Sequence, residues 1–156
     1  MSNATAIVRF ADSPNTQKYA DVLIHLQRAI CAGDESEAGR LCDASQDLAE
    51  SLSIPEILWT QKLSSDLEML CDEELLQPNP YSPQDYLRRL DRAFAQKDAE
   101  ALLALLRMEQ QVLTKERIAT ARSQAYLWLG FPQVAHEFLG AATRFAPDSI
   151  RRPAFA

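Results

Sequence analysis

Apolar residues recur at helical spacing along almost the whole chain, and the alternation of apolar and polar residues that is typical of strands is absent. Positions three and four residues apart share one side of an α-helix, so each such stripe predicts a helix with one face toward a core. The pattern predicts an all-α protein of antiparallel helical hairpins, with about seven helices and no β-sheet. The clearest stripe, in the second predicted helix, comprises Ala38, Leu41, Cys42, Ser45, Leu48, Ala49 and Leu52.

Polar residues and prolines mark where the predicted helices begin. We expect the first helix from about Pro14 to Ala32, with an inward side formed by Tyr19, Val22, Leu23, Leu26 and Ile30. The next five are expected to follow N-cap residues, which are Asp34, Ser53, Ser82, Asp98 and Thr114. The seventh begins at Pro132 and ends before Pro147. On the fourth helix the residues expected to face inward are Leu87, Leu90, Ala93 and Phe94.

The length of 156 residues predicts one domain, residues 1–156. Three prolines fall within "QPNPYSP", so we interpret residues 77–83 as a linker between sub-units 14–76 and 82–149. An internal repeat is visible at an offset of 64, where the stretch from Asp21 aligns with the stretch from Asp85. Either a shared repeat architecture or a pattern common to capped helical hairpins accounts for it.

Residues 116–149 carry a motif of small and aromatic residues around a tight corner. Gly130 can end a helix and Pro132 can begin one, so "YLWLGFPQVAHEFLG" predicts a helical hairpin. Residues 116–149 resemble one tetratricopeptide repeat, a helical hairpin that stacks with further copies into a curved solenoid. The residues that carry the resemblance are Tyr126, Gly130, Ala135, Ala142 and Pro147, with Leu139 where the family has a large apolar residue and Ser123 where it has a small one. The sequence departs from the family at Ala119, Arg122 and Pro132.

The resemblance implies a protein-interaction module that binds a peptide or helix on a concave surface. Carried over by position, the partner-binding residues are Arg117, Thr120, Gln124, Leu127 and Trp128. Trp128 follows Tyr126 by two positions, so the two rings cannot share one side of the helix. The alternative is that Trp128 packs beneath another helix of the same domain.

The charge is unevenly distributed along the chain. Residues 1–78 carry 5 basic and 14 acidic side chains, whereas residues 79–156 carry 11 and 8. The net charge of −6 argues against a nucleic-acid partner, because neutralising phosphates requires a surplus of cations. Arg88, Arg89 and Arg92 form one basic patch that is either a solvated face or a site for an acidic segment. A group of carboxylates is interpreted as a solvated face and comprises Asp66, Glu68, Asp72, Glu73 and Glu74.

The sequence offers little catalytic or metal-binding chemistry. His25 and His136 are the only histidines and neither has ligands at suitable spacing, so we expect no metal, no cofactor and no catalytic residue. Cys31, Cys42 and Cys71 lack CxxC spacing and are expected to be reduced, small buried hydrophobic residues. With no long apolar run and no signal-peptide pattern, we expect no membrane partner and a cytoplasmic location.

These features together predict a binding protein rather than an enzyme. Its expected partner is another protein, which it binds as an adaptor or small chaperone-like module. Self-association through the acidic and basic halves is the runner-up. A helical-bundle enzyme or small-ligand-binding protein is the alternative from another class.

Overall fold

The computed structural model describes residues 13–71 and 76–145, apart from the side chains at positions 55, 59, 60, 70 and 71. The described residues form seven α-helices and no β-sheet, which confirms the all-α prediction. The predictions for Asp72, Glu73, Glu74 and Pro147, and the prediction that the side chain of Cys71 is buried, lie outside this description. The helices are α1 (Pro14–Ala32), α2 (Glu35–Ala49), α3 (Ile54–Leu67), α4 (Pro83–Ala95), α5 (Ala99–Leu106), α6 (Lys115–Leu129) and α7 (Pro132–Phe145), and a 3₁₀ turn (Glu68–Cys71) follows α3.

The predicted N-caps hold the starts of five helices. Each cap side chain accepts a hydrogen bond from the backbone N–H three residues later, which satisfies a donor that the first helical turn cannot. The distances lie between 3.1 and 3.3 Å, and the caps are Asp34, Ser53, Ser82, Asp98 and Thr114. The helix starts could therefore be assigned from local sequence alone.

The chain forms two compact units. The first comprises Met1–Leu75 with Leu129–Val134, and the second comprises Leu76–Trp128 with Ala135–Ala156. Within the first unit, α1 packs on α2 and α3. Within the second, the residue that opens the predicted linker pairs with the end of α5: the Gln77 N–H donates to Arg107 O (2.9 Å) and the Glu109 N–H donates to Gln77 O (2.8 Å). These bonds tie together the two ends of the α4–α5 hairpin.

The α1–α2 and α4–α5 corners have the same backbone geometry. Gly33 and Lys97 both adopt left-handed φ angles, 71° and 52°, and each is followed by an aspartate cap with φ −85° and ψ 86°. Asp34 N–H bonds to Ala29 O and Asp98 N–H bonds to Ala93 O, again at the same offset of 64. The structure therefore repeats this corner where the sequence repeats, although only the first copy has the glycine that left-handed backbone favours.

Exchanging residues at the two left-handed positions should change stability in opposite directions. We expect Lys97→Gly to stabilise the protein by about 0.5–1 kcal/mol, because glycine has no Cβ penalty at positive φ. Gly33→Ala should destabilise it by about 1 kcal/mol through the backbone alone, since a Cβ there would meet no atom within 4 Å. Urea unfolding measures the change in the free energy of unfolding for each variant. Two changes of the same sign would contradict a shared corner geometry.

Several side chains face a different way from the prediction. Ile30 is 50% exposed, Leu87 is 39% exposed and Cys42 is exposed, although the apolar stripes placed all three inward. Thr16 and Gln27 are buried on α1 instead, and Tyr86 is fully buried on α4. Both helices carry apolar residues on more than one side, so the neighbouring helices rather than the periodicity decide which residues are covered.

The cysteines also differ from the prediction. Cys42 is a free thiol, as expected, but it is exposed rather than buried, and Cys31 is disulfide-bonded rather than reduced. Disulfides persist mainly in oxidising compartments. The missing CxxC spacing, on which the expectation of reduced cysteines rested, did not indicate the redox state of Cys31.

Side chains of α4 and α6 donate hydrogen bonds to the buried C-terminal end of α5. The Tyr86 hydroxyl donates to Leu105 O (2.9 Å), and Arg122 Nη2 donates to Leu106 O (2.8 Å). A helix leaves its last carbonyls without partners in the helix and its C-terminal end is partially negative, so a guanidinium is well suited to this position. Arg122, which departs from the tetratricopeptide pattern, thus links the helices of the second unit.

Candidate functional site

Four of the five predicted partner-binding residues lie exposed along one side of α6. Arg117, Thr120, Gln124 and Leu127 are three or four residues apart and all exposed, and Leu127 is 59% exposed. The opposite side of α6 is buried and includes Ala119, Arg122, Ala125 and Tyr126. The helix therefore has one buried and one exposed side, and the exposed stripe passes from polar to apolar residues toward its C-terminus.

Local hydrogen bonds fix the first turns of this stripe. The Arg117 N–H donates to Oγ1 of the N-cap Thr114 (3.2 Å), which anchors the helix start. The Thr120 hydroxyl donates to Glu116 O one turn earlier (2.9 Å). The Thr120 hydroxyl proton is thus used in a hydrogen bond within α6. The side chains of Arg117 and Gln124 are the polar groups of the stripe that remain available to a ligand.

Trp128 is half-buried, unlike the other four predicted residues. Its ring meets the ring of Phe94 edge-on, with the centroids 6.2 Å apart and the planes at 80°. Edge-to-face contact is a favoured arrangement of aromatic rings. Trp128 therefore joins α6 to α4 and exposes only part of its surface.

The contact with Phe94 brings residues of α4 into the site. Leu87 lies seven residues before Phe94, two turns away on the same side of α4, and is 39% exposed. Both residues were expected to face inward, so the sequence did not indicate that they belong to the site. We call the apolar residues Leu87, Phe94, Leu127 and Trp128, together with the polar residues Asp91, Arg117, Thr120 and Gln124, the α4–α6 face.

Charged groups lie within the α4–α6 face without internal partners. Asp91 and Arg117 are exposed, and neither forms an ion pair with another described residue. Aromatic residues and arginine are enriched in protein–protein interfaces, and the rim of such an interface is polar and solvated. The face can bury an apolar ligand surface and orient it by charge.

A separate cavity of about 310 Å³ adjoins the start of α4 and includes Tyr81, Tyr86, Glu109 and Gln110 among its lining residues. Burial raises the pKa of Tyr86 to about 12, and the charge of Arg122 acts in the opposite direction. Tyr86 is therefore neutral at ordinary pH, and its proton bonds to Leu105 O. This tyrosine serves the packing of the second unit.

The histidines and carboxylates considered in the sequence do not form a cluster among the described residues. His136 is exposed, and His25 lies 3.7 Å from Asp21 on the surface of α1. Asp66 is fully buried, which contradicts the prediction that it belongs to a solvated face. In the described part of the chain, no three His, Cys, Asp or Glu side chains are placed to hold one metal ion, and no helix is long and apolar enough to cross a bilayer.

Comparison of the chain with protein-family models, curated proteins and solved structures finds no match.

Proposed function

We propose that this protein is a protein-interaction module that binds an amphipathic helix or peptide on the α4–α6 face, as an adaptor or small chaperone-like protein. The observation that carries the proposal is the exposed Leu127 beside the Phe94–Trp128 contact, with Arg117 and Asp91 uncompensated in the same face. Helix-in-groove recognition uses apolar anchors three, four or seven residues apart on the ligand.

The resemblance to a tetratricopeptide repeat belongs to this proposal. In its support, Tyr126, Ala135 and Ala142 are buried and Gly130 adopts a left-handed φ of 91° at the corner between α6 and α7. The resemblance carries the family's ligand-binding positions over to the outward stripe of α6. A cytoplasmic location rests on the sequence alone, and the Cys31 disulfide argues against it.

Leu127 is the residue of the α4–α6 face best suited to a test of partner binding by substitution. Trp128 also contacts Phe94, so its removal would affect stability and binding together. We expect Leu127→Asp to weaken partner binding by about thirtyfold or more, which corresponds to about 2 kcal/mol, because an aspartate must be desolvated at the contact. Its effect on stability should lie within about 0.5 kcal/mol, since the leucine is exposed.

The matched control is Leu139→Asp, which changes a comparably exposed leucine on α7 (53%) that lies outside the α4–α6 face. Pull-down from the native host with the wild-type chain and both variants, followed by mass spectrometry and titration of the recovered protein, compares the two positions. The proposal requires a partner retained by Leu139→Asp and lost by Leu127→Asp. Equal retention by both variants would exclude the α4–α6 face as its binding site.

A further inference from the structure

A groove between α4 and α5 lies on the flank of α4 opposite Leu87 and Phe94. Its volume is about 290 Å³, and we call it the arginine groove. Arg89, Arg92 and Gln96 line it from α4, while Ala101, Ala104 and Met108 line it from α5 and the residues that follow. Both arginines are exposed, so the groove presents small apolar residues beside two accessible guanidinium groups.

The two arginines are fixed to different degrees. Arg89 Nε donates to Asp85 Oδ2 (3.2 Å), and its guanidinium carbon lies 4.1 Å from the centroid of the Tyr81 ring, so this side chain is held in place. Arg92 forms no ion pair with a described residue. Asp98 also lines the groove, but its Oδ1 accepts the Ala101 N–H as the cap of α5. The groove therefore carries the Asp98 carboxylate as well as the two guanidinium groups, and Arg92 is the one of the two arginines without an ion pair to a described residue.

The first unit carries a complementary row of carboxylates. Asp43, Asp47 and Glu50 are exposed at the spacing of successive turns along α2 and just past its end, and none forms an ion pair with a described residue. The one cation of α2, Arg40, is paired with Glu37 (Nε to Oε2, 3.0 Å). Like charges one turn apart repel each other, so a partner that brings cations to this acidic row would be favoured.

We propose that two copies of this chain associate through these surfaces, with the acidic row of one copy docked in the arginine groove of the other. Carboxylates one turn apart on α2 match the spacing of Arg89 and Arg92, which are also one turn apart on α4. Each copy carries both surfaces, so every copy can act as donor and acceptor. This contact uses a different surface from the α4–α6 face and does not depend on the function proposed for that face.

Charge reversal tests the association in the full-length chain. All proteins carry Cys42→Ser, so that the exposed thiol beside the acidic row cannot form crosslinks between copies. Sedimentation velocity at about 10–200 µM should show self-association at about 50 mM NaCl that weakens at about 500 mM, because salt screens exposed charges. Arg92→Glu should weaken it by about tenfold or more, since it places like charges together, whereas Arg88→Glu, the same change outside the groove, should have little effect.

Complementary variants separate this contact from a general charge effect. Arg89→Glu/Arg92→Glu and Asp43→Arg/Asp47→Arg should each associate weakly alone, and an equimolar mixture should recover association because the exchanged charges are again opposite. If the groove double variant misfolds, Arg92→Glu replaces it in the mixture, since Arg92 has no ion pair to lose. A wild-type chain that stays monomeric at low salt, an association insensitive to Arg92→Glu, or a mixture that does not recover would each overturn the proposal.

Discussion

Replacing Arg122 with alanine is expected to lower the free energy of unfolding by about 3–5 kcal/mol. The side chain is fully buried, its Nη2 donates to Leu106 O at 2.8 Å, and its guanidinium carbon lies 5.9 Å from the centroid of the Phe138 ring. Alanine would leave the end of α5 without this donor and open a cavity between helices. For a chain of this size the midpoint of thermal unfolding falls by about 2–4 °C per kcal/mol, which calorimetry resolves easily.

Two further variants show which part of Arg122 matters. Arg122→Leu, the residue usual in tetratricopeptide repeats at this position, fills much of the volume and removes the donor, so we expect an intermediate loss of about 1–3 kcal/mol. Arg117→Ala removes an exposed arginine from the same helix and should change stability by less than about 0.5 kcal/mol. Similar unfolding of the Arg122→Ala and Arg117→Ala variants would show that Arg122 does not stabilise the second unit.

Phe138→Ala is expected to destabilise the protein by about 3–5 kcal/mol, whereas Leu139→Ala should change its stability by less than about 0.5 kcal/mol. Phe138 is fully buried and stacks on Tyr126, with the ring centroids 5.6 Å apart and the planes within 6° of parallel. Leu139 is 53% exposed, although the tetratricopeptide resemblance placed the large apolar residue at this position. Urea unfolding of the Phe138→Ala and Leu139→Ala variants compares the two positions. A larger loss of unfolding free energy for Leu139→Ala would support the register that the resemblance implies.

The helix starts could be predicted because they depend on local interactions. A serine, threonine or aspartate cap bonds to a backbone N–H only three residues away, so the sequence determines it without knowledge of distant residues. The same holds for the corner at Gly130, where a left-handed residue ends α6. The left-handed Lys97 shows that the corner forms even where the favoured residue is missing, because the Asp98 cap and the hydrogen bond to Ala93 O accompany it.

Much of the candidate site could also be predicted from the sequence. The tetratricopeptide resemblance carried Arg117, Gln124 and Leu127 over by position, and all three are exposed. Leu87 and Phe94 were missed because an apolar residue at the margin of a stripe has no local signal that distinguishes burial from exposure. Their place in the α4–α6 face depends on the contact between Phe94 and Trp128, which lie on different helices.

By itself, the sequence determined that this protein is helical, where its helices start, and which end of the chain is acidic. Only the tertiary structure decided that Arg122 is buried at the end of α5, that Asp66 is covered, and that Cys42 is exposed while Cys31 is in a disulfide. The physical reason is that capping and helical propensity act over a few residues, whereas burial is set by contacts between helices far apart in the chain. A charged residue within an apolar stripe therefore reveals its role only when the groups around it are known.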